Sequence, residues 1–165
     1  MITAIDFLKE GIQLENLGII IPWNKKANEI EQYGNPVIEI VNTDIKNLIW
    51  NNAIILGGLQ LNLQTQFRKS FASEPKFNSI FGYLSERDFD KALLHLVSYF
   101  GRQGMLIKKS NNKFFYLWVF NDVEVKLGKE DRFGSNFYLQ VDFIKKTGSL
   151  FVLKYWMLTL ITAPL

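Results

Sequence analysis

The chain has 165 residues, 48% of them hydrophobic and 15% aromatic, with no cysteine and a formal net charge of +3. That apolar content excludes a disordered chain. The missing cysteines exclude disulfides, a thiolate nucleophile and Cys-ligated zinc, and so mild a basic excess is not the charge pattern of a dedicated nucleic-acid binder.

Residues 2–10 read as a short helix, with Ile2, Ile5 and Phe7 or Leu8 on one side and Gly11 as its stop. The acids Asp6 and Glu10 and the lack of a long apolar run argue against a signal peptide, so the chain is expected to be cytoplasmic, or mature after removal of a leader. Asn24 is placed to cap a helix over 25–33, where Ala27, Ile30 and Tyr33 share a face, with Gly34 as the left-handed stop and Pro36 as the barrier beyond. A strand follows at 37–41 and an apolar run with Trp50 at 47–56, broken by Gly57-Gly58. The stretch LQLNLQTQF then alternates: Leu59, Leu61, Leu63 and Phe67 on one face, Gln60, Asn62, Gln64 and Gln66 on the other. It reads as a half-buried antiparallel strand.

Residues 68–76 read as a linker, and FNSIFGYL as a strand leading to Ser85. Ser85 begins the strongest helix, with Asp88 at the capping-box position, a stripe of Phe89, Ala92, Leu93, Leu96, Val97 and Phe100, and Gly101 as the stop. Strands are expected at 105–109, 114–120, 123–127 and 137–144, with Asn121-Asp122 as a turn. The run KFFYLWVF is apolar throughout and should be central, whereas VEVKL and FYLQVDF each keep one wet face.

Landmarks recur in order: a helix ending in an aromatic-glycine pair (Tyr33-Gly34, Phe100-Gly101), a strand, a tryptophan (Trp50, Trp118), then an alternating strand. This period predicts two copies of one helix-then-sheet unit, about 12–67 and 77–144, within a single domain over 1–165. Coincidence between two amphipathic helix–strand stretches is the competing reading. The expected fold class is α+β, two helix-then-antiparallel-sheet halves forming one domain with helices packed on one sheet face.

Chemistry is sparse. His95 is the single histidine and shares the polar side of its helix with Asp88 and Lys91, so it reads as a surface residue. Glu86, Asp88 and Asp90 gather where acids complement a helix dipole. Glu124 and Asp142 occupy wet strand positions within range of each other or of Lys126. Neither GxxxxGK[ST] nor GxGxxG occurs. No cofactor, no metal and no catalytic residue is expected. The uncharged wet face of LQLNLQTQF suits a protein-binding surface and equally an ordinary exposed sheet. Lys108, Lys109 and Lys113 around KFFYLW, with Lys145 and Lys146 further on, open an alternative in which a basic aromatic sheet stacks single-stranded bases.

The run PW, a short helix, then YGNP and strands resembles the tandem helix–sheet units of the beta-lactamase inhibitor protein family and the related outer-membrane assembly lipoproteins. The second half, with its helix closing in YFG, strands, a Trp and an alternating strand, resembles small bacterial immunity proteins that neutralise a partner toxin. These resemblances imply a protein-binding role. The expectation is therefore a non-enzymatic bacterial immunity- or inhibitor-type protein that occludes a toxin or enzyme. Gln60, Asn62 and Gln64 of the wet strand face and Glu86, Asp88 and Asp90 of the helix start are its candidate partner-binding residues. The apolar segment 150–165 admits three readings: a final element packed on the core, a membrane anchor, or a docking segment.

Overall fold

The computed structural model describes residues 8–69, 74–110, 113–130 and 136–144. Residues 8–10 are helical and lead into β1 (Gly11–Leu14), which turns through a one-turn 3₁₀ helix at Glu15–Leu17 into β2 (Ile19–Pro22). Then come α1 (Ala27–Ile30), β3 (Val37–Asn42), β4 (Ile45–Ile55), β5 (Leu59–Arg68) and β6 (Ser79–Leu84). After α2 (Glu86–Phe100) follow β7 (Met105–Ser110), β8 (Lys113–Phe120), β9 (Val123–Glu130) and β10 (Asn136–Phe143). The protein thus mixes helix with strand, and strand dominates.

One eight-stranded antiparallel sheet runs β3-β4-β5-β6-β10-β9-β8-β7, and β1 and β2 form a separate ribbon. It consists of two meanders, β3–β5 and β7–β10, laid edge to edge with β6 in the seam. Strand β6 pairs with β10 from Leu84–Phe137 to Ser79–Asp142, and with β5 at Leu63–Gly82 and Gln64–Phe81. Because all neighbours are antiparallel, β6 and β7 run the same way, and α2 carries the chain across the intervening strands.

Two elements share the inner face of this sheet. The stripe of α2 buries Phe89, Ala92, Leu96 and Phe100. Phe89 meets Phe137 at 4.9 Å and Phe114 at 5.9 Å between ring centroids, and Phe100 meets Phe120 at 4.6 Å. Ile12, Leu14 and Ile21 of the ribbon, with Trp23 and Ile30, join the same core as Leu48, Trp50 and Ile55 of β4. Each fully buried side chain of this size contributes about 1.5–3 kcal/mol. The ribbon's turn is tied to β4, where the Ile54 N–H donates to Asn16 Oδ1 at 3.1 Å, and the Gly57 N–H donates to Glu15 Oε1 at 2.6 Å.

The expected strands at 37–41, 47–56, 59–67, 105–109, 114–120, 123–127 and 137–144 are present with shifted ends. The β1–β2 ribbon was not foreseen from the sequence, and α1 is shorter than the expected 25–33. Lys26, not Asn24, precedes its first turn. The reason is tertiary. Asn24 N–H donates to Phe77 O at 2.8 Å and Phe77 N–H to Lys25 O at 2.7 Å, holding 24–25 against the segment before β6. At the other end Gly34 and Asn35 both take positive φ (70° and 48°), so a turn closes before Pro36. Ser85 does start α2, but its hydroxyl donates to the Asp88 carboxylate instead of capping a backbone N–H.

In each meander the tryptophan of the second strand bonds the chain just past a helix. Trp50 Nε1–H donates to Tyr33 O at 2.7 Å, and Trp118 Nε1–H donates to Arg102 O at 3.0 Å. Part of the helix expected at 2–10, part of the linker at 68–76, Lys145, Lys146 and the segment 150–165 lie outside the described residues. Among the described residues no helix is long and apolar enough to cross a membrane.

Candidate functional site

The two-residue period of a strand sends alternate side chains to the outer face of the sheet, which neither α2 nor the ribbon covers. Register aligns Gln64 of β5 with Phe81 of β6, Phe81 with Gln140 of β10, and Gln140 with Lys126 of β9. The neighbouring rows bring Tyr83 beside Tyr138, and Ser79 beside Asp142 beside Glu124. The centre of the open face is therefore amide, hydroxyl and aromatic, with one ionic cluster.

That cluster centres on Lys126. Lys126 Nζ lies 2.6 Å from Asp142 Oδ2 and 2.9 Å from Glu124 Oε2. Ser79 Oγ donates to Asp142 Oδ1 at 2.6 Å, and Gln140 Nε2 donates to the same oxygen at 2.8 Å. Burial acts to lower the Lys126 pKa, but Asp142 and then Glu124 together outweigh it and hold the ammonium above its ordinary value. Burial, followed by the charge of Glu130, likewise raises the Tyr138 phenol. Glu130 itself pairs with Lys113 at 2.6 Å. The Asp142 carboxylate is thus held by an ammonium, a hydroxyl and an amide.

Beyond the Gln64–Phe81 pair, β5 and β6 part. Thr65 Oγ1 donates across the gap to Ser79 O at 2.7 Å. The divergence opens a cleft of about 490 Å³ lined by Gln66, Asn78, Phe81, Tyr83, Tyr138 and Gln140, among others. Phe81 and Tyr83 meet edge to face at 5.8 Å, and Tyr83 stays 61% exposed at the rim.

The residues singled out from sequence scatter around this cleft. Gln64 is half-buried beside Phe81. Asn62 serves the backbone: its Oδ1 accepts the Asn52 N–H at 2.8 Å, filling the bulge between Trp50 and Ala53 in β4. Gln60 and Asp88 meet instead in a second groove of about 410 Å³ between the start of β5 and the first turns of α2, with Tyr83, Lys91 and His95. Glu86 and Asp90 are exposed and line neither hollow. His95 is not a plain surface residue. It is half-buried, its Nε2 lies 2.8 Å from Leu56 O, and its ring stacks on Tyr99.

Sequence reading missed Ser79, Phe81, Tyr83, Tyr138 and Gln140. The alternation of FYLQVDF marks Tyr138, Gln140 and Asp142 as one face, but only the strand order sets β6 beside β10. Of the lysines in the basic aromatic reading, Lys109 Nζ sits 5.5 Å over Phe115 and Lys113 pairs with Glu130, whereas Phe114 turns inward against Phe89. Among the described residues no three His, Asp or Glu side chains are grouped to share a metal ion. Comparison with protein-family models, with curated proteins and with solved structures returns no match.

Proposed function

We propose that this chain is a non-enzymatic binding protein that holds a partner protein against the open face of its eight-stranded sheet. In this reading it is an immunity- or inhibitor-type protein acting in the bacterial cytoplasm, whose two meanders are related helix-then-sheet halves. The observation that carries the reading is the composition of the cleft. Two tyrosines, a phenylalanine and side-chain amides line it together with Lys76 and Glu130, beside a cluster in which the Lys126 ammonium bridges Glu124 and Asp142. Such a surface gives up little charge solvation on docking, and tyrosine offers large contact area at low entropic cost. Around it the three carboxylates of Glu124, Glu130 and Asp142 outnumber the two ammoniums of Lys113 and Lys126 that face them, which disfavours a phosphate backbone. The matching indole bonds of Trp50 and Trp118 support the two-halves reading.

The test is capture from lysate of the native host with the full chain and with Tyr83→Ala/Tyr138→Ala. One stoichiometric protein partner, bound roughly 30-fold more weakly by the double variant, is expected if these tyrosines are central anchors worth about 2 kcal/mol. Recovery of nucleic acid alone, with binding that falls steeply with salt, would overturn the proposal.

A further inference from the structure

The two edges of the large sheet are built differently. At one edge β7 carries Lys108 and Lys109 among its exposed residues, the usual guard against strand addition. At the other, every residue of β3 is exposed, and Val37, Ile38, Ile40 and Val41 are 52%, 47%, 63% and 53% accessible. The one charge on β3 is drawn inward, since Glu39 Oε2 accepts from Asn47 Nδ2 of β4 at 2.8 Å. The bulge between Ile40 and Asn42 interrupts the ladder at its far end, and among the described residues the other side of Val37–Ile40 is a regular unpaired edge. Beside this edge lies a hollow of about 390 Å³ whose lining includes Ala27, Ile40, Ile45, Phe67 and Pro75.

We infer that β3 is a strand-addition site for an extended, mainly aliphatic segment of a partner protein. The segment's backbone continues the sheet, one of its aliphatic side chains enters the hollow beside Ile40, and a basic or neutral residue lies across from Glu39. Strand addition draws affinity from main-chain bonds and specificity from pockets for alternate side chains, and β3 offers both. A second copy of this chain fits less well. A stable protein pair needs about 800 Å² and roughly 20–30 residues a side, far more than a six-residue strand supplies. Self-pairing centred on Glu39 also sets two carboxylates opposite each other. The inference stands independently of the open-face reading.

The probes are two capped ten-residue peptides of alternating Ile and Thr, one with a central Lys and one with a central Glu. They are added to the full chain, and amide hydrogen exchange is followed by mass spectrometry. The Lys peptide is expected to protect residues 37–42, with affinity at least tenfold above that of the Glu peptide. Ile38→Lys/Ile40→Lys changes exposed positions and leaves the circular dichroism unchanged, and it should remove the protection. Tyr83→Ala/Tyr138→Ala should leave it intact, which separates this test from that of the open face. Absence of protection at 37–42 with millimolar Lys peptide would overturn the inference. So would a concentration-dependent dimer in sedimentation that the double-lysine variant dissolves, because a second copy would then own the edge.

Discussion

Lys126 is the residue on which the open face turns. Its ammonium contacts both Glu124 and Asp142, and the Glu124 side chain is only 5% exposed. Removing one partner from so buried a cluster leaves its carboxylates a cation short, which costs about 3–5 kcal/mol. Lys126→Met is therefore expected to lower the unfolding free energy measured in urea by an amount of that order. The same residue sets a pH dependence. Its folded pKa lies above the ordinary 10.5, so the folded state holds a proton that the unfolded state releases. The stabilisation is complete below pH 10.5 and is lost as pH rises through the folded value. Tyr138, raised from 10.0 chiefly by burial, acts in the same direction. Denaturation curves from pH 9 upward should show the wild type losing stability, with a smaller loss in Lys126→Met. A second residue-scale prediction concerns Gly57. It has φ +79°, and a Cβ there would sit 2.4 Å from Tyr99 Cδ2. Gly57→Ala should cost about 2–3 kcal/mol, and adding Tyr99→Ala should recover the steric part but not the backbone strain.

At the scale of elements, helix and strand types follow from local pattern, and their ends follow from neighbours. The stripe of α2 is visible in sequence because burial of Phe89, Ala92, Leu96 and Phe100 needs the 3.6-residue period. The shortened α1 was not visible, since the bonds between 24–25 and Phe77 link segments more than fifty residues apart. The ribbon was missed because four-residue strands offer too few positions for alternation to stand out. The two indole bonds make a direct test of how the meanders are held. Trp50→Phe and Trp118→Phe each remove one donor and leave a carbonyl to find another, at about 1 kcal/mol apiece. The two losses should add in the double variant, because each bond serves its own meander. A strongly non-additive result would mean that the meanders do not act separately.

For the whole molecule, the seam decides behaviour. Strand β6 matches β10 along its length but β5 at Leu63–Gly82 and Gln64–Phe81, and beyond these pairs the strands part to form the cleft. Hydrogen exchange should therefore find β5 amides directed at β6 opening sooner than those directed at β4. Partner docking on the open face should slow the former and leave the latter unchanged. This is a measurable link between the fold's weakest ladder and the surface proposed to bind.

Sequence by itself determined the mixed architecture, the alternating strands, the main helix and the wet character of Gln60, Asn62 and Gln64, because these depend on periodicity within one segment. It also placed Glu124 and Asp142 within range of Lys126, but Glu124, expected at a wet position, is buried, because its strand is covered on both faces at that point. Tertiary structure alone decided that β6 lies between β5 and β10, and hence that Ser79, Phe81, Tyr83, Tyr138 and Gln140 converge. It decided as well that Asn62 fills a bulge, that Gln60 and Asp88 share a separate groove, and that β3 is the edge of the sheet among the described residues. The physical reason is that a strand's own sequence fixes which side chains share its face, whereas strand order is a long-range choice made by the packing of α2 and the ribbon on the opposite side.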